Sequence, residues 1–297
     1  MTLEQLRIFV AVAERQHMTQ AARALNLTQS AASAAIAALE RRYATALFER
    51  VGRRIELTPA GRLFLDEARA VLARAAAAER ALAEIGGLRR GTFRVVASQT
   101  IASYWLPRHL AAFHRAYPDV EIRMTVGNSA QAAAAVEAGE ADIGFIEGMI
   151  ESAGVELRPV AKDRLVLVAP PQHEWAGRDS LSPGDLAGQK WVMRERGSGT
   201  RSAFEAALKR LGIAAASLDV AIEMPSNEAA RAAVEAGFGV SALSASVVAP
   251  SLEAGLLRLA PLRFEDRAFY AVEARARRRG RAAGALLALI ASGGADL

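Results

Sequence analysis

The chain is 297 residues long, 52% hydrophobic, and carries a formal net charge of +5. That length suits two or three modest domains, and the lack of cysteine excludes disulfides, thiolate catalysis and cysteine-ligated zinc. Residues 1–90 hold 14 of the 37 basic and 9 of the 32 acidic residues, so the whole positive excess sits there and the rest, with 23 of each, is neutral. A basic N-terminal module attached to a neutral remainder points to polyanion binding at one end and another task at the other.

Leu3 to Arg15 places Leu3, Leu6, Phe9, Val10 and Val12–Ala13 on one broad face, which predicts an amphipathic helix. Arg7 and Glu14 interrupt it, so no signal peptide is expected, and no apolar run is long enough to span a bilayer as a helix; a cytoplasmic protein is expected. From Met18 to Ala37 the pattern predicts two short helices around a tight turn. Thr19 is the expected cap of the first, Ala21, Ala22 and Leu25 its inner face, Asn26 its left-handed end, and Thr28 the cap of the second. Small residues at Ala21 and Ala22 let the helices cross closely, as a helix-turn-helix requires. An ordinary αα-hairpin in a core fits this stretch equally well, and the charge placement favours DNA.

The second helix runs from Thr28 to about Arg42, with Ile36 and Leu39 inward. Strands on either side of Gly52 then predict a β-ribbon wing, with Arg50, Arg53 and Arg54 at its tip and edge, where they can reach phosphates or the minor groove. Pro59-Ala60-Gly61 opens a long helix. Phe64, Ala68, Val71, Ala75, Ala78, Leu82 and Ile85 step through it by fours and threes. A heptad seam held this long favours a dimerisation helix, ending at a hinge at Gly86-Gly87; packing on its own domain is the alternative.

From Gly91 onward strands alternate with helices, first through Asp142–Ile146, then again from Trp191 to Leu243, with Val155–Val160 and Arg164–Ala169 crossing between. Val136-Glu137-Ala138-Gly139 recurs as Val234-Glu235-Ala236-Gly237, each after an Asn at the helix start, Asn128 and Asn227. Arg267–Val272 and Gly284–Ile290 return to the first lobe. The pattern predicts two similar α/β lobes, the first about 91–161 plus 268–297 and the second about 162–267, in an α+β multidomain chain behind domains at 1–58 and 59–87.

In such sheets ligands bind beyond the carboxyl ends of strands, where helix N-termini offer free N–H groups. The polar stretches there are Ser98-Gln99-Thr100, Asn128-Ser129, Arg194 to Arg201 and Ser226-Asn227. Gly197-Ser198-Gly199-Thr200 exposes backbone N–H groups beside two hydroxyls, suited to an anion, although no lysine follows as a P-loop demands. Glu147 at another strand end argues against a bulky polyanion, or for a cationic or hydroxyl group. Ser98, Gln99, Thr100, Asn128, Glu147, Gly197, Ser198, Thr200 and Asn227 are the expected effector contacts, with simple helix capping as the competing account. The four histidines are scattered and no HExxH, GxSxG or paired-carboxylate cluster occurs, so neither an enzyme, a metal nor a cofactor is expected. The five arginines from Arg275 to Arg281 read as a solvated charge run, with contact to DNA or a subunit as the alternative.

The N-terminal segment resembles the LysR-type transcriptional regulators in Phe9, Thr19, Ala21-Ala22, Leu25, Thr28-Gln29-Ser30, Ser33, Ile36, Leu39-Glu40, Leu47-Phe48, Arg50, Arg53 and Leu57-Thr58-Pro59-Ala60-Gly61. The resemblance extends over essentially the full chain. It implies a winged helix-turn-helix, a dimer through the linker helix, a homotetramer as dimer of dimers, RNA polymerase as a further partner, and a two-lobed, periplasmic-binding-protein-like effector domain. Tyr104-Trp105-Leu106-Pro107, the segment Asp142 to Gly148, and Arg196 to Arg201 look most like the branch regulating sulfur assimilation or carbon dioxide fixation, whose effectors are small inorganic anions or phosphorylated metabolites. One departure stands out: where many members carry larger polar residues after the serine matching Ser33, this chain has Ala34-Ala35. Alanine can still touch thymine methyls, so the expected DNA contacts are Thr28, Gln29, Ser30, Ser33, Ala34, Arg50, Arg53 and Arg54. The competing class is a cytoplasmic solute-binding protein whose N-terminal segment only oligomerises.

Overall fold

A computed structural model describes every residue except 52–53, 86–90, 151, 176, 278 and 294–297, together with the side chains at 51, 77 and 80–85. It forms two compact units, Met1–Ile85 and Gly86–Leu297. Among the described residues no helix is long and apolar enough to cross a membrane.

In the first unit, α1 (Leu3–Arg15) starts at Thr2, whose side chain and that of Gln5 exchange bonds with each other's backbone N–H in a capping box. It closes at Gln16, which adopts φ 48° and donates its N–H to the Val12 carbonyl. That reversal makes His17 the extended residue before α2 (Met18–Ala24), and His17 Nδ1 accepts the Gln20 N–H. Thr19 is therefore not the cap expected; it lies within the first turn. Asn26 takes the left-handed conformation, and Thr28 caps α3 (Gln29–Tyr43) by accepting the Ala31 N–H at 3.2 Å. Leu6, Phe9 and Val12 of α1 pack on Ala21, Ala22, Ala32, Ile36 and Leu39, where the alanines permit the close crossing.

Glu40 turns back to accept the N–H groups of Leu47 (2.8 Å) and Phe48 (3.2 Å), tying α3 to the antiparallel hairpin of β1 (Phe48–Val51) and β2 (Arg54–Leu57). Gly52 and Arg53, the expected wing tip, and Gly86-Gly87, the expected hinge, lie outside the described residues. The long helix α4 (Pro59–Ile85) begins where Gly61 passes so close to Leu47 that a Cβ would strike its carbonyl oxygen. The seam read from the sequence divides. Phe64, packed on Phe9 with ring centroids 4.8 Å apart, and Ala68 belong to the unit's own core, as does Leu72. Val71 and Ala78, by contrast, are exposed, as is Leu63 off the seam. Packing on its own domain therefore claims the first two seam positions.

The second unit begins with β3 (Gly91–Ser98), α5 (Gln99–Tyr104), α6 (Leu106–Ala116), β4 (Val120–Gly127), α7 (Ser129–Ala138) and β5 (Ile143–Glu147). Two strands, β6 (Val155–Asp163) and β7 (Leu165–Ala169), lead into the second lobe. There follow α8 (Pro183–Ala187), β8 (Lys190–Arg194), α9 (Gly199–Arg210), β9 (Asp219–Met224), α10 (Asn227–Glu235), β10 (Ser241–Ser244), α11 (Ala245–Glu253) and β11 (Arg258–Arg263). β12 (Arg267–Ala274) and α12 (Arg281–Gly293) return to the first.

The first sheet has the order β4-β3-β5-β12-β6, with β12 antiparallel to both neighbours. In the second lobe β8-β9 and β10-β7-β11 are joined beside Trp191 and Val240, giving the matching order β9-β8-β10-β7-β11. Each sheet is covered on both faces, by Phe93, Phe113, Phe145 and Leu286 on one side of the first and Val96, Val136 and Val272 on the other. Trp191, Phe204 and Leu208 face Val192, Val234 and Val248 likewise across the second. Burial on two faces explains the continuous apolar runs of the central strands.

Candidate DNA face and effector cleft

On α3, Thr28, Gln29, Ser30 and Ala34 are exposed and Ser33 is half-buried. Gln29 Nε2 donates to Ser33 Oγ at 3.0 Å, and the Thr28 and Ser30 hydroxyls lie 3.0 Å apart. A one-turn spacing thus sets four polar groups on the helix's first two turns, with the Ala34 methyl beside them. Ala32, Ile36 and Leu39 hold the opposite face in the core. Arg50 and Arg54 are exposed on the two strands of the hairpin, near its turn. Arg53 lies outside the described residues.

In the second unit most of the predicted effector residues converge, and they converge on Glu147. This carboxylate ends β5, a strand buried along its whole length, and is 2% exposed. Thr100 donates to its Oε1 at 3.0 Å and Thr200 to the same oxygen at 3.4 Å, while Ser98 donates to Oε2. Ser98 stands at the N-cap position of α5, yet its side chain makes no capping bond. Its hydroxyl serves Glu147 instead. The hydroxyls that were expected to await a ligand are thus satisfied by a residue of the chain.

Helix capping explains part of the set. Ser198 caps α9 through the Arg201 N–H, and Asn128 caps α7 in a capping box with Gln131. Asn227 stands at the helix start, as its place in the repeated segment predicts: Ser226 is the cap of α10, and Asn227 is the helix's first residue, with its side chain fully buried. Its Nδ2 donates to Thr100 Oγ1 at 2.9 Å, and its backbone N–H donates to Gln99 Oε1 at 3.0 Å. Gln99 Nε2 in turn donates to the Pro225 carbonyl, and the Ala130 N–H to that of Gly197, so the two lobes are laced together. Gly199 lets α9 start against β5, because a Cβ there would overlap the Glu147 main chain and Ser129 Oγ.

Two buried arginines feed this cluster through intermediaries. Arg194 is held by both oxygens of Glu195 and donates its Nη1 to Asn227 Oδ1, and Asn227 passes a bond to Thr100. Arg267 pairs with Asp163 at 2.7 Å and donates to Thr200 Oγ1 at 3.2 Å. Asp163 and Arg267 face each other on β6 and β12, the strands that end and resume at the crossing between lobes, and Asp163 also accepts the Ser244 hydroxyl at 2.6 Å. Arg267 and Asp163 were missed in the sequence. Their signal was weak, since β6 carries Glu156, Arg158 and Lys162 beside Asp163, and only the end positions of the two crossing strands set Asp163 and Arg267 apart. The Arg275–Arg281 run is engaged in part: Arg279 pairs with Glu273, and Arg275 bonds the Val155 carbonyl.

A helix-turn-helix with a β-ribbon wing, followed by two α/β lobes that close on a buried polar cluster, defines a ligand-sensing DNA-binding regulator. Residues 3–62 match the family model of the bacterial regulatory helix-turn-helix protein, lysR family, and residues 86–295 match that of the LysR substrate binding domain. The chain is 38% identical over 257 residues to the uncharacterized HTH-type transcriptional regulator YeiE of Escherichia coli, covering 86% of this chain and 85% of YeiE. It is 33% identical over 293 residues to the RuBisCO operon transcriptional regulator of Allochromatium vinosum, covering 98% and 96%. Full-length CbnR complexed with its target DNA superposes with a TM-score of 0.69 at 25% identity, over 98% of each chain. The chain belongs to the LysR family: it is a LysR-type transcription regulator with an effector-binding domain. That membership decides against the solute-binding protein with an N-terminal oligomerisation module.

Proposed function

We propose that α3 reads operator bases through Gln29, Ser30, Ser33 and the Ala34 methyl, with Thr28 at its N-terminus. Arg50, Arg53 and Arg54 of the wing hold the flanking backbone. The exposure of these α3 groups on one side of a well-packed helix supports the reading, as does the DNA complex of CbnR. The domains divide at 1–58, 59–87 and 91–297. Exposed Leu63 and Val71 on α4 support a homodimer through that helix, assembling further into a homotetramer that engages RNA polymerase. The protein works in the cytoplasm, where its DNA is, and catalyses no reaction.

The effector is a small anion bound between the lobes, and the observation that carries this is the set of buried hydroxyls, Ser98, Thr100 and Thr200, at the meeting of strand ends with the N-terminus of α9. Gln99, Asn128, Gly197, Ser198 and Asn227 line the same junction. The wording shared with regulators of sulfur assimilation and carbon dioxide fixation, and the similarity to a RuBisCO operon regulator, support an effector from inorganic anions or phosphorylated metabolites. Its binding biases the angle between the lobes, which changes the spacing of paired recognition helices and the bend of the DNA.

A thermal-shift screen of sulfite, sulfate, thiosulfate, phosphate, phosphoenolpyruvate and adenosine phosphosulfate tests the site. Each is repeated on Ser198→Ala/Thr200→Ala and scored against that variant's own baseline, since losing the Ser198 cap alone lowers stability by about 1 kcal/mol. A shift for one anion that vanishes in the variant is expected. No shift across the panel would return Ser198 to helix capping and Thr200 to its bond with Glu147.

A further inference from the structure

We infer that Glu147 is a specificity residue, which admits oxyanions still carrying an O–H at neutral pH and turns away those that are fully deprotonated. The inference rests on the proposed reading of the cleft as an anion site. Its starting point is that the donors suited to an anion are already committed: Ser98, Thr100 and Thr200 all donate to the two oxygens of one buried carboxylate. An oxyanion that takes hydrogen bonds from Thr100 and Thr200 therefore binds a single hydroxyl's width from Glu147.

The surrounding charges do not remove the conflict. Arg267 is neutralised by Asp163, and Arg194 by Glu195. Neither guanidinium donates to Glu147; each acts through a neutral group, Thr200 in one case and Asn227 then Thr100 in the other. With two paired arginines and one further carboxylate, the cluster holds a surplus negative charge before any ligand arrives. A second anion without a proton meets like-charge repulsion in a site that water screens poorly. An anion with an O–H offsets that repulsion: it donates to Glu147 in place of the hydroxyl it has captured, and its remaining oxygens accept from Thr100, Thr200 and the α9 N-terminus.

Hydrogen phosphate and sulfate separate these cases, being tetrahedral and similar in size while only the first keeps an O–H at pH 7. Titration calorimetry of the full chain with each salt, at matched ionic strength, should show phosphate bound about tenfold or more tighter than sulfate. In Glu147→Gln, which keeps the shape and drops the charge, that ratio should collapse, chiefly because sulfate gains affinity. Sulfate binding the wild-type chain as tightly as phosphate, with both lost in Thr200→Val, would overturn the role of Glu147 and leave the anion cleft standing. Neither salt binding the wild-type chain or Glu147→Gln would overturn the anion cleft and this inference together. The wild-type comparison decides the matter even if the Gln variant folds poorly.

Discussion

Gly199→Ala isolates the closure of the lobes from the stability of either lobe. Gly199 is the first residue of α9 and has no left-handed backbone requirement, so alanine is at home in the helix and within its own lobe is worth up to about 1 kcal/mol of added stability. The difficulty lies across the cleft. A Cβ at this position would sit 2.6 Å from Glu147 Cγ and 2.5 Å from Ser129 Oγ, and closer still to the Glu147 carbonyl oxygen. Carbon atoms pack at about 3.5–4 Å, so the overlap is about 1 Å, and it falls on the main chain of a buried strand that cannot step aside. Overpacking of this kind costs about 1–3 kcal/mol, and separating the lobes relieves it. The equilibrium should therefore move about 5- to 150-fold toward an open arrangement. Hydrogen exchange of the Ala130 amide reads this directly, because its acceptor is the Gly197 carbonyl in the other lobe. Its protection should fall by that factor in Gly199→Ala, while amides of the β3–β4 ladder, internal to the first lobe, keep theirs. Equal protection of Ala130 in the two proteins would refute the argument that this glycine sets the closed contact.

Three further outcomes follow from the two units. Ser33→Trp should abolish specific operator protection, a loss within the range of about a thousandfold or more that separates specific from non-specific binding, with folding and oligomeric state retained; an unchanged footprint would remove α3 as the reading helix. Arg54→Ala, like Arg53→Ala in the same wing, should weaken binding to all sequences alike and flatten the salt dependence of log K by about one unit. A loss confined to one operator would mean the wing reads bases. Asp163→Asn strips the charge from a pair whose side chains are 5% and 6% exposed. It should lower stability to urea by about 3–5 kcal/mol, and Arg267→Met on the same chain should restore most of it. A double variant no more stable than the single would show that Asp163 acts mainly through Ser244.

The local structure was legible where one short stretch carries both ends of an element. Asn128 with Gln131 opens α7 and Gly139 at φ 79° closes it, so that helix is written in its own residues. Other elements hid their signals. Six residues of α5 are too few to show a period. In α11 Pro250 falls inside the helix, where a sequence argument expects a break, and the strand β11 carries Pro261. The cap at His17 was misassigned because the deciding event is the left-handed turn at Gln16, a residue type that rarely takes it. In α4 the period showed that Phe64 and Ala68 face one way, but spacing does not say whether the surface they meet belongs to the same chain.

The cleft was half legible for a related reason. Strand ends and helix starts are local features, so Ser98, Thr100, Glu147, Thr200 and Asn227 could be nominated one by one. What each does depends on partners far along the chain: Thr100 lies 47 residues from Glu147 and 127 from Asn227, and Asp163 lies 104 from Arg267. Those pairings turn the candidate hydroxyl donors into a closed circuit around Glu147. An arginine touching the ligand directly would attract any anion. Two arginines that are already paired, and that act through a threonine and an asparagine, leave discrimination to hydrogen-bond complementarity. On the proposed reading an effector competes with Glu147 for the same hydroxyls, and it can shift the lobe angle by no more free energy than the difference in its affinity for the two arrangements. Thr200 is held by Arg267, and Arg267 by Asp163 where the strands cross, so on the proposed reading a ligand that takes Thr200 from Glu147 also acts on the crossing between the lobes.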